Sequence, residues 1–255
     1  MTAVLDSFRL DGKVAVVTGA SRGLGAAMAQ ALAEAGADVA LVARGDLAAT
    51  ATAVRAAGRQ ALTIHADLVE PLAPAAVLRA TQAHFGRADI LVNNAGIIRR
   101  APVLEFSAQD WHDVINVNLH APFLLAQQFA RDLVARGAPG KIINVASLLS
   151  FQGGVRVPAY TAAKSALTGL TRALANELAA QGINVNAIAP GYMATDNTAA
   201  LRADPARHEA ILERIPAGRW GTPEDLKGVT VFLASRASDY MHGFTLAVDG
   251  GWLAR

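Results

Sequence analysis

The sequence predicts an α/β protein, a doubly wound parallel sheet with helices on both faces, formed by one domain over 1–255. Three observations carry this reading. Seven short, β-branched apolar runs are spread along the 255 residues. Ala-rich amphipathic stretches separate them, and a glycine-rich turn follows the first run. Strand–helix alternation implies a parallel sheet covered on both sides. Right-handed connections then leave the doubly wound arrangement as the natural fold.

The elements follow in order. Val14–Thr18 is the first strand, bounded by Lys13 and Gly19, and a helical pattern over 22–35 succeeds it. Val39–Val42 and Ala61–Ile64 are brief apolar runs with helical patterns after them at 46–57 and 72–85. Ile90–Val92 precedes a long helical pattern at 108–136, and Ile142–Val145 precedes another at 159–180. Val185–Ile188 and Thr245–Val248 complete the set, with a helix expected at 223–234 between them. Runs of this length, rich in Val and Ile and bounded by Gly, Asp or Asn, read as strands. The stretch 190–222 breaks the rhythm. It carries Pro190, Gly191, Pro205, Pro216 and Gly218 and no strand signal, so an excursion with one or two short helices is expected, of the kind that forms lids over binding sites.

Composition excludes several classes. Cysteine is absent, so disulfides, thiolate metal sites and a Cys nucleophile are ruled out, and no metal site is expected. The hydrophobic share of 53% with a net charge of +2 opposes disorder. That charge is also small for a nucleic-acid binder. Met1–Leu10 contains Asp6 and Arg9 and lacks an apolar core, so it does not read as a signal peptide. No apolar run reaches the length of a membrane span. A soluble, cytoplasmic protein with no membrane and no nucleic-acid partner is the expectation.

The turn after the first strand reads Thr18-Gly19-Ala20-Ser21-Arg22-Gly23-Leu24-Gly25. Glycines between a strand and a helix let phosphate approach backbone N–H groups at the helix N-terminus, as in the Rossmann-type dinucleotide fold. Gly19, Ser21, Arg22, Gly23, Leu24 and Gly25 are therefore cofactor candidates. The residue ending the second strand discriminates between nicotinamide cofactors, an acid suiting the ribose of NAD and a base the 2′-phosphate of NADP. Arg44 stands there, and Arg22 is a second cation, so NADP is favoured. Solvated arginines, or an Arg44 stacked on adenine, are the alternatives. Asp67 and Leu68 follow the third strand, Asp67 as an adenine contact or a helix N-cap. Asn94, Ala95 and Gly96 lie past the fourth strand, at the edge where ligands bind.

Tyr160 and Lys164 are four apart in a helical context, which puts both on one face. A neighbouring ammonium favours phenolate and draws the Tyr pKa below its usual value near 10. Such a Tyr exchanges a proton with a carbonyl or alcohol oxygen. Alone the pair is commonplace, a packed Tyr beside a solvated Lys. Ser147 after the fifth strand adds a donor to the same oxygen. Asn118, within an apolar helix, holds a relaying water or kinks the helix.

TGASRGLG at 18–25, NNAG at 93–96, NVNL at 116–119, Ser147, YTAAK at 160–164 and PG at 190–191 together resemble the short-chain dehydrogenase/reductase family over essentially the whole chain. The resemblance implies a catalytic tetrad of Asn118, Ser147, Tyr160 and Lys164. It also implies that Lys164 and Tyr160 hold the nicotinamide ribose, and that Pro190, Gly191 and Thr195 contact the nicotinamide end. It implies a homotetramer, with the 108–136 and 159–180 helices pairing subunits and the Gly250-Gly251-Trp252 tail near a second interface. The stretches KIINVASLLSFQGGVRVPAYTAAKSA, NVNAIAPGYMAT and RIPAGRWG are similar to the branch acting on deoxy-sugar acids, whose members are described as using NAD. That points to a nicotinamide-dependent oxidoreductase of a secondary alcohol or ketone on a deoxy-sugar acid. Arg99, Arg100, Gln152 and Arg156 are the substrate candidates, since Arg binds carboxylate bidentately. The rivals are a 3-oxoacyl-carrier-protein reductase and a catalytically silent dinucleotide-binding regulator.

Overall fold

The computed structural model describes residues 3–255; Met1 and Thr2, the start of the segment read against a signal peptide, lie outside the described residues. All seven expected strands form: β1 Val14–Thr18, β2 Asp38–Ala43, β3 Ala61–His65, β4 Ile90–Asn93, β5 Gly140–Val145, β6 Ile183–Pro190 and β7 Thr245–Val248. They make one sheet in the order β3-β2-β1-β4-β5-β6-β7, and every pairing is parallel. The order reverses between β1 and β4, which opens a crevice at the carboxyl ends of those strands.

The helices are α1 Gly23–Glu34, α2 Ala48–Ala56, α3 Ala73–Phe85, α4 Ala108–Ile115, α5 Ala121–Arg136, α6 Pro158–Leu178, α7 Ala199–Ala203, α8 Pro205–Leu212 and α9 Lys227–Ala234. Successive strand residues point to opposite faces, and the two cores divide that way. Ala15, Val17, Val39 and Leu41 pack with Met28 and Leu32 of α1, Val54 of α2 and Leu233 of α9. Val16, Ala40 and Val42 join the other core, with Val77 of α3 and Leu125, Phe129 and Leu133 of α5. Strands β1, β5 and β6 are buried along their whole length because both faces are covered.

Two helices depart from the expected pattern. The 108–136 helix is not uniform: a π turn at Asn116–His120 separates α4 from α5. The 223–234 pattern begins as a 3-10 turn, Pro223–Leu226, before α9. In the excursion, α7 and α8 are the two short helices, preceded by a 3-10 turn at Asp196–Thr198. Its feet are joined. Met193 forms an isolated parallel bridge with Gly221, with Ala194 N–H donating to the Gly221 carbonyl at 2.7 Å and Gly221 N–H to Tyr192 at 3.0 Å. Among the described residues no helix is long and apolar enough to cross a membrane.

Candidate active site

A cleft of about 880 Å³ runs along the crevice at the β1/β4 reversal. Every cofactor candidate borders it except Gly25, as do Ser147, Tyr160 and Lys164. Asn118, Arg99, Arg100, Gln152 and Arg156 do not.

The glycine turn is built for close backbone packing. Gly19 and Gly23 take φ of 65° and 56°, a left-handed region that favours glycine. Gly25 lies inside α1, and a Cβ there would overlap the Gly19 carbonyl oxygen. The NNAG segment interlocks with this turn. Thr18 Oγ1 accepts the Asn94 and Ala95 N–H groups, both at 3.0 Å, and Asn94 Nδ2 donates to the Thr18 carbonyl at 2.8 Å. Asn93 turns the other way, donating to Asn144 Oδ1 at 2.9 Å within the core. Arg22 occupies the N-cap of α1 and no side chain caps that end. The first-turn N–H groups of α1 thus have no side-chain acceptor, and the macrodipole there favours an anion. A glycine cradle against an uncapped helix start fits the pyrophosphate of a dinucleotide.

The two arginines at this end are held by acids. Arg22 Nη1 is 3.0 Å from Asp196 Oδ2, so it spans from the glycine turn to the excursion. Arg44 Nη1 is 3.3 Å from Asp67 Oδ2. Asp67 does not cap α3, whose N-cap is Leu72; its Oδ1 accepts the Val69 N–H instead. Leu68 is buried beside it.

At the other end, α6 begins at Pro158 and presents Tyr160 and Lys164 on one face. Lys164 is 3% exposed and its Nζ donates to the Val145 carbonyl at the end of β5, at 2.6 Å. The ammonium lies 5.6 Å from the centre of the Tyr160 ring. Burial lowers the Lys164 pKa to about 8. The Tyr160 phenol moves opposite to expectation: burial pushes it up, and the Ser147 hydroxyl and the Arg100 charge only partly draw it back. Dehydrating a phenolate outweighs those two attractions here. Ser147 is N-cap of the 3-10 turn Leu148–Ser150, its Oγ accepting the Leu149 N–H at 3.2 Å. That turn is tied to α6 by Ser150 Oγ, which donates to the Lys164 carbonyl at 2.6 Å.

Asn118 sits in the π turn and is fully buried. Its Nδ2 donates to Val114 at 2.8 Å and to Ile97 at 2.9 Å, while Oδ1 has no hydrogen-bond partner. A π turn of this kind often marks a functional site.

The substrate candidates scatter. Arg99 pairs with Asp110 at 3.2 Å. Arg100 Nη2 donates to the Asn197 carbonyl in the excursion at 3.1 Å. Gln152 Oε1 accepts from Trp252 Nε1 at 3.2 Å. Arg156 is exposed with φ of 64°, its carbonyl accepting the Ala101 N–H. Cleft-lining residues that motif reading passed over include Met193, Asp196 and Asn197, which the excursion folds back over the glycine turn. Asp196 and Asn197 were marked only by belonging to the excursion, and Met193 also by the stretch NVNAIAPGYMAT. The Gly250-Gly251-Trp252 tail, expected near a subunit interface, buries Trp252 in its own chain against the excursion.

A family profile described as enoyl-(acyl carrier protein) reductase matches residues 19–253. A 2-dehydro-3-deoxy-D-gluconate 5-dehydrogenase of Dickeya dadantii (strain 3937) is 57% identical over 252 residues, covering 99% of this chain and 100% of its own. The crystal structure of a gluconate 5-dehydrogenase from Burkholderia cenocepacia J2315, in complex with NADP and tartrate, superposes with a TM-score of 0.94 at 42% identity, covering 99% of this chain and 100% of that one. A short-chain type dehydrogenase/reductase from Mycobacterium marinum gives the same TM-score at 38% identity, with coverage of 99% and 100%.

Proposed function

The chain belongs to the short-chain dehydrogenase/reductase family, and from that premise we propose that it interconverts a secondary alcohol and a ketone on a deoxy-sugar acid. The reaction is of the 2-deoxy-D-gluconate 3-dehydrogenase or 2-dehydro-3-deoxy-D-gluconate 5-dehydrogenase type. The observation that carries the reading is the placement of Ser147, Tyr160 and Lys164 along one cleft with the glycine turn at its other end. The identity of the Dickeya relative supports the substrate class.

A nicotinamide dinucleotide, NAD(P), supplies or takes the hydride when bound. The chain's residues do the rest. Gly19, Ser21, Gly23, Leu24 and the start of α1 hold its phosphates, with Asn94, Ala95 and Gly96 fixing the turn. Asp67 and Leu68 border the adenine end, and Pro190, Gly191 and Thr195 the nicotinamide end. Arg22 and Arg44, each answered only by one exposed carboxylate, favour a 2′-phosphate and hence NADP. The NADP-bound Burkholderia relative agrees with this.

Tyr160 gives its proton to the carbonyl oxygen in reduction or takes one from the alcohol in oxidation. A phenol is protonated at neutral pH, the form needed to donate, and burial shifts Tyr160 further toward that form. Ser147 hydrogen-bonds the same oxygen. Lys164 holds the nicotinamide ribose, and its charge strengthens as a donor to Val145 because water is excluded. Asn118 offers its unpartnered Oδ1 to a relaying water. A homotetramer in the cytoplasm belongs to the same proposal, supported by Tyr240 and Phe244, which stand exposed before the edge strand β7.

The test is a panel of sugar acids, acyl thioesters and simple ketols, each with NAD(H) and NADP(H), followed by nicotinamide absorbance. Turnover confined to sugar acids is expected. Preference for acyl thioesters would assign a 3-oxoacyl-carrier-protein reductase instead, and no turnover on any member a silent dinucleotide binder.

A further inference from the structure

Arg214, two residues past the end of α8 in the excursion, is placed unlike the other substrate-candidate arginines. Its guanidinium lies 4.0 Å over the ring of Trp252. Its Nη2 donates to Gln152 Oε1 at 3.4 Å, and the same oxygen accepts Trp252 Nε1. Among the described residues no carboxylate lies within ion-pair distance of it, whereas Arg99 is engaged by Asp110 and Arg100 by the Asn197 carbonyl. Stacking covers the face of a guanidinium and leaves its edge, where the N–H donors lie, directed outward. One of five donors is used here. A planar fork with a fixed face and a free edge is the donor set that matches a carboxylate.

The three members come from separate segments and do not line the cleft, but Gln152 and Trp252 are joined to residues that border it. Gln152 follows Ser147 by five residues, just past the 3-10 turn Leu148–Ser150. Trp252 is 4% exposed and shares an apolar cluster with Leu148 and with Tyr192 and Ala194, which flank the cleft residue Met193. Arg214 rides on the excursion itself. The cluster thus joins the Ser147 loop, the chain terminus and the excursion at one point.

We propose that Arg214, held over Trp252 and oriented by Gln152, binds the carboxylate of the sugar-acid substrate; this rests on the functional reading above. Gln152 and Trp252 are positioning residues in this account.

The test compares Arg214→Gln with wild type, using a 2-deoxy-aldonate and the neutral polyol that carries the same hydroxyls without the acid. Loss of one bidentate charged contact is expected to raise KM for the acid about 30-fold, with kcat falling far less and the polyol KM moving less than about twofold. Arg214→Lys, which keeps the charge and loses the fork, recovers part of the acid KM. Arg207→Gln, an exposed charge change on the same excursion, serves as the control and leaves the acid KM unchanged. Equal effects of Arg214→Gln on acid and polyol, or none on either, overturn the proposal while wild-type turnover of sugar acids keeps the functional reading intact. A wild type inactive on every sugar acid overturns both.

Discussion

Asn118 Nδ2 donates to the Ile97 carbonyl at 2.9 Å, tying the π turn of the long helix to the segment that follows β4. The second bond of the same nitrogen, to Val114, closes the widened turn from within, and Oδ1 is left facing Gly96. Asn118→Ala removes both bonds and strands two carbonyls. We expect a loss of about 2–4 kcal/mol of stability in urea denaturation, with a fall in kcat. Gly96→Ala would place a Cβ 2.6 Å from Asn118 Oδ1. It should lower kcat and cost about 1–3 kcal/mol of stability, because the buried Asn118 amide must shift; a Gly96→Ala enzyme with wild-type kcat would show that Oδ1 has no part in turnover.

Tyr160→Phe keeps the ring beside Lys164 and removes only the phenol oxygen. Turnover should drop by about 1,000-fold, the scale of a lost general acid. Cofactor affinity, read by Trp fluorescence titration, should change little, since the glycine turn is untouched. Near-normal turnover would remove Tyr160 from the reaction.

Lys164 carries a stability signature in pH. Its folded pKa of about 8 lies below the ordinary 10.5, so between these values the unfolded chain binds the extra proton. The charged lysine destabilises the fold at pH below about 8, and stability rises as pH climbs toward 10.5. Wild type should gain about 2 kcal/mol relative to Lys164→Met between pH 8 and 10, by the 1.36 kcal/mol per pKa unit of linkage. Tyr160, raised above 10.0, acts oppositely, because the unfolded chain loses its phenolic proton first. Its contribution falls away above pH 10, outside this window. A pH-independent difference between the two proteins would contradict the buried, depressed lysine.

Arg22 and Arg44 predict cofactor preference. Each alanine variant should weaken NADP(H) binding about tenfold in calorimetric titration and NAD(H) by less than about threefold. Equal losses would mean that the arginines serve the shared part of the cofactor. Asp196→Asn frees Arg22 from an ion pair whose partners are 77% and 70% exposed. Pairs of that kind are worth about 0–1 kcal/mol, so stability should hardly change while NADP(H) binding tightens.

Local pattern carried the sheet. Each of the seven strands is a short run rich in apolar residues, fully buried in β1, β4, β5 and β6 and partly exposed in the edge strands β3 and β7, and no long-range contact is needed to see it. The π turn at 116–120 was only half legible: Asn118 offered a kink within 108–136, but the carbonyls it would bond could not be named from spacing. Its cause is Asn118, a polar side chain finding carbonyls 4 and 21 residues away. Tyr160 and Lys164 were legible as a pair, but their acidities were not. The sequence spacing shows that the two are neighbours, and only the fold shows that Lys164 is buried while Tyr160 is partly buried at the cleft. Gln152 and Trp252 are 100 residues apart in the chain, and Arg214 and Gln152 are 62 apart, so the cluster they form has no local signature. Arg99 looked available until the first turn of α4 brought Asp110 against it.

The bridge between Met193 and Gly221 has a consequence for how the molecule can diversify. Because both feet of the excursion are pinned to each other beside β6, the chain between them is a closed loop, docked on the body through a few side-chain contacts at Arg22, Arg100 and Gln152. Closure entropy grows only slowly with length, so insertions or deletions beyond the bridge should cost the sheet little. The segment is then an exchangeable cartridge. Its sequence can be rewritten to fit a different substrate while Ser147, Tyr160 and Lys164, anchored on β5 and α6, keep their places.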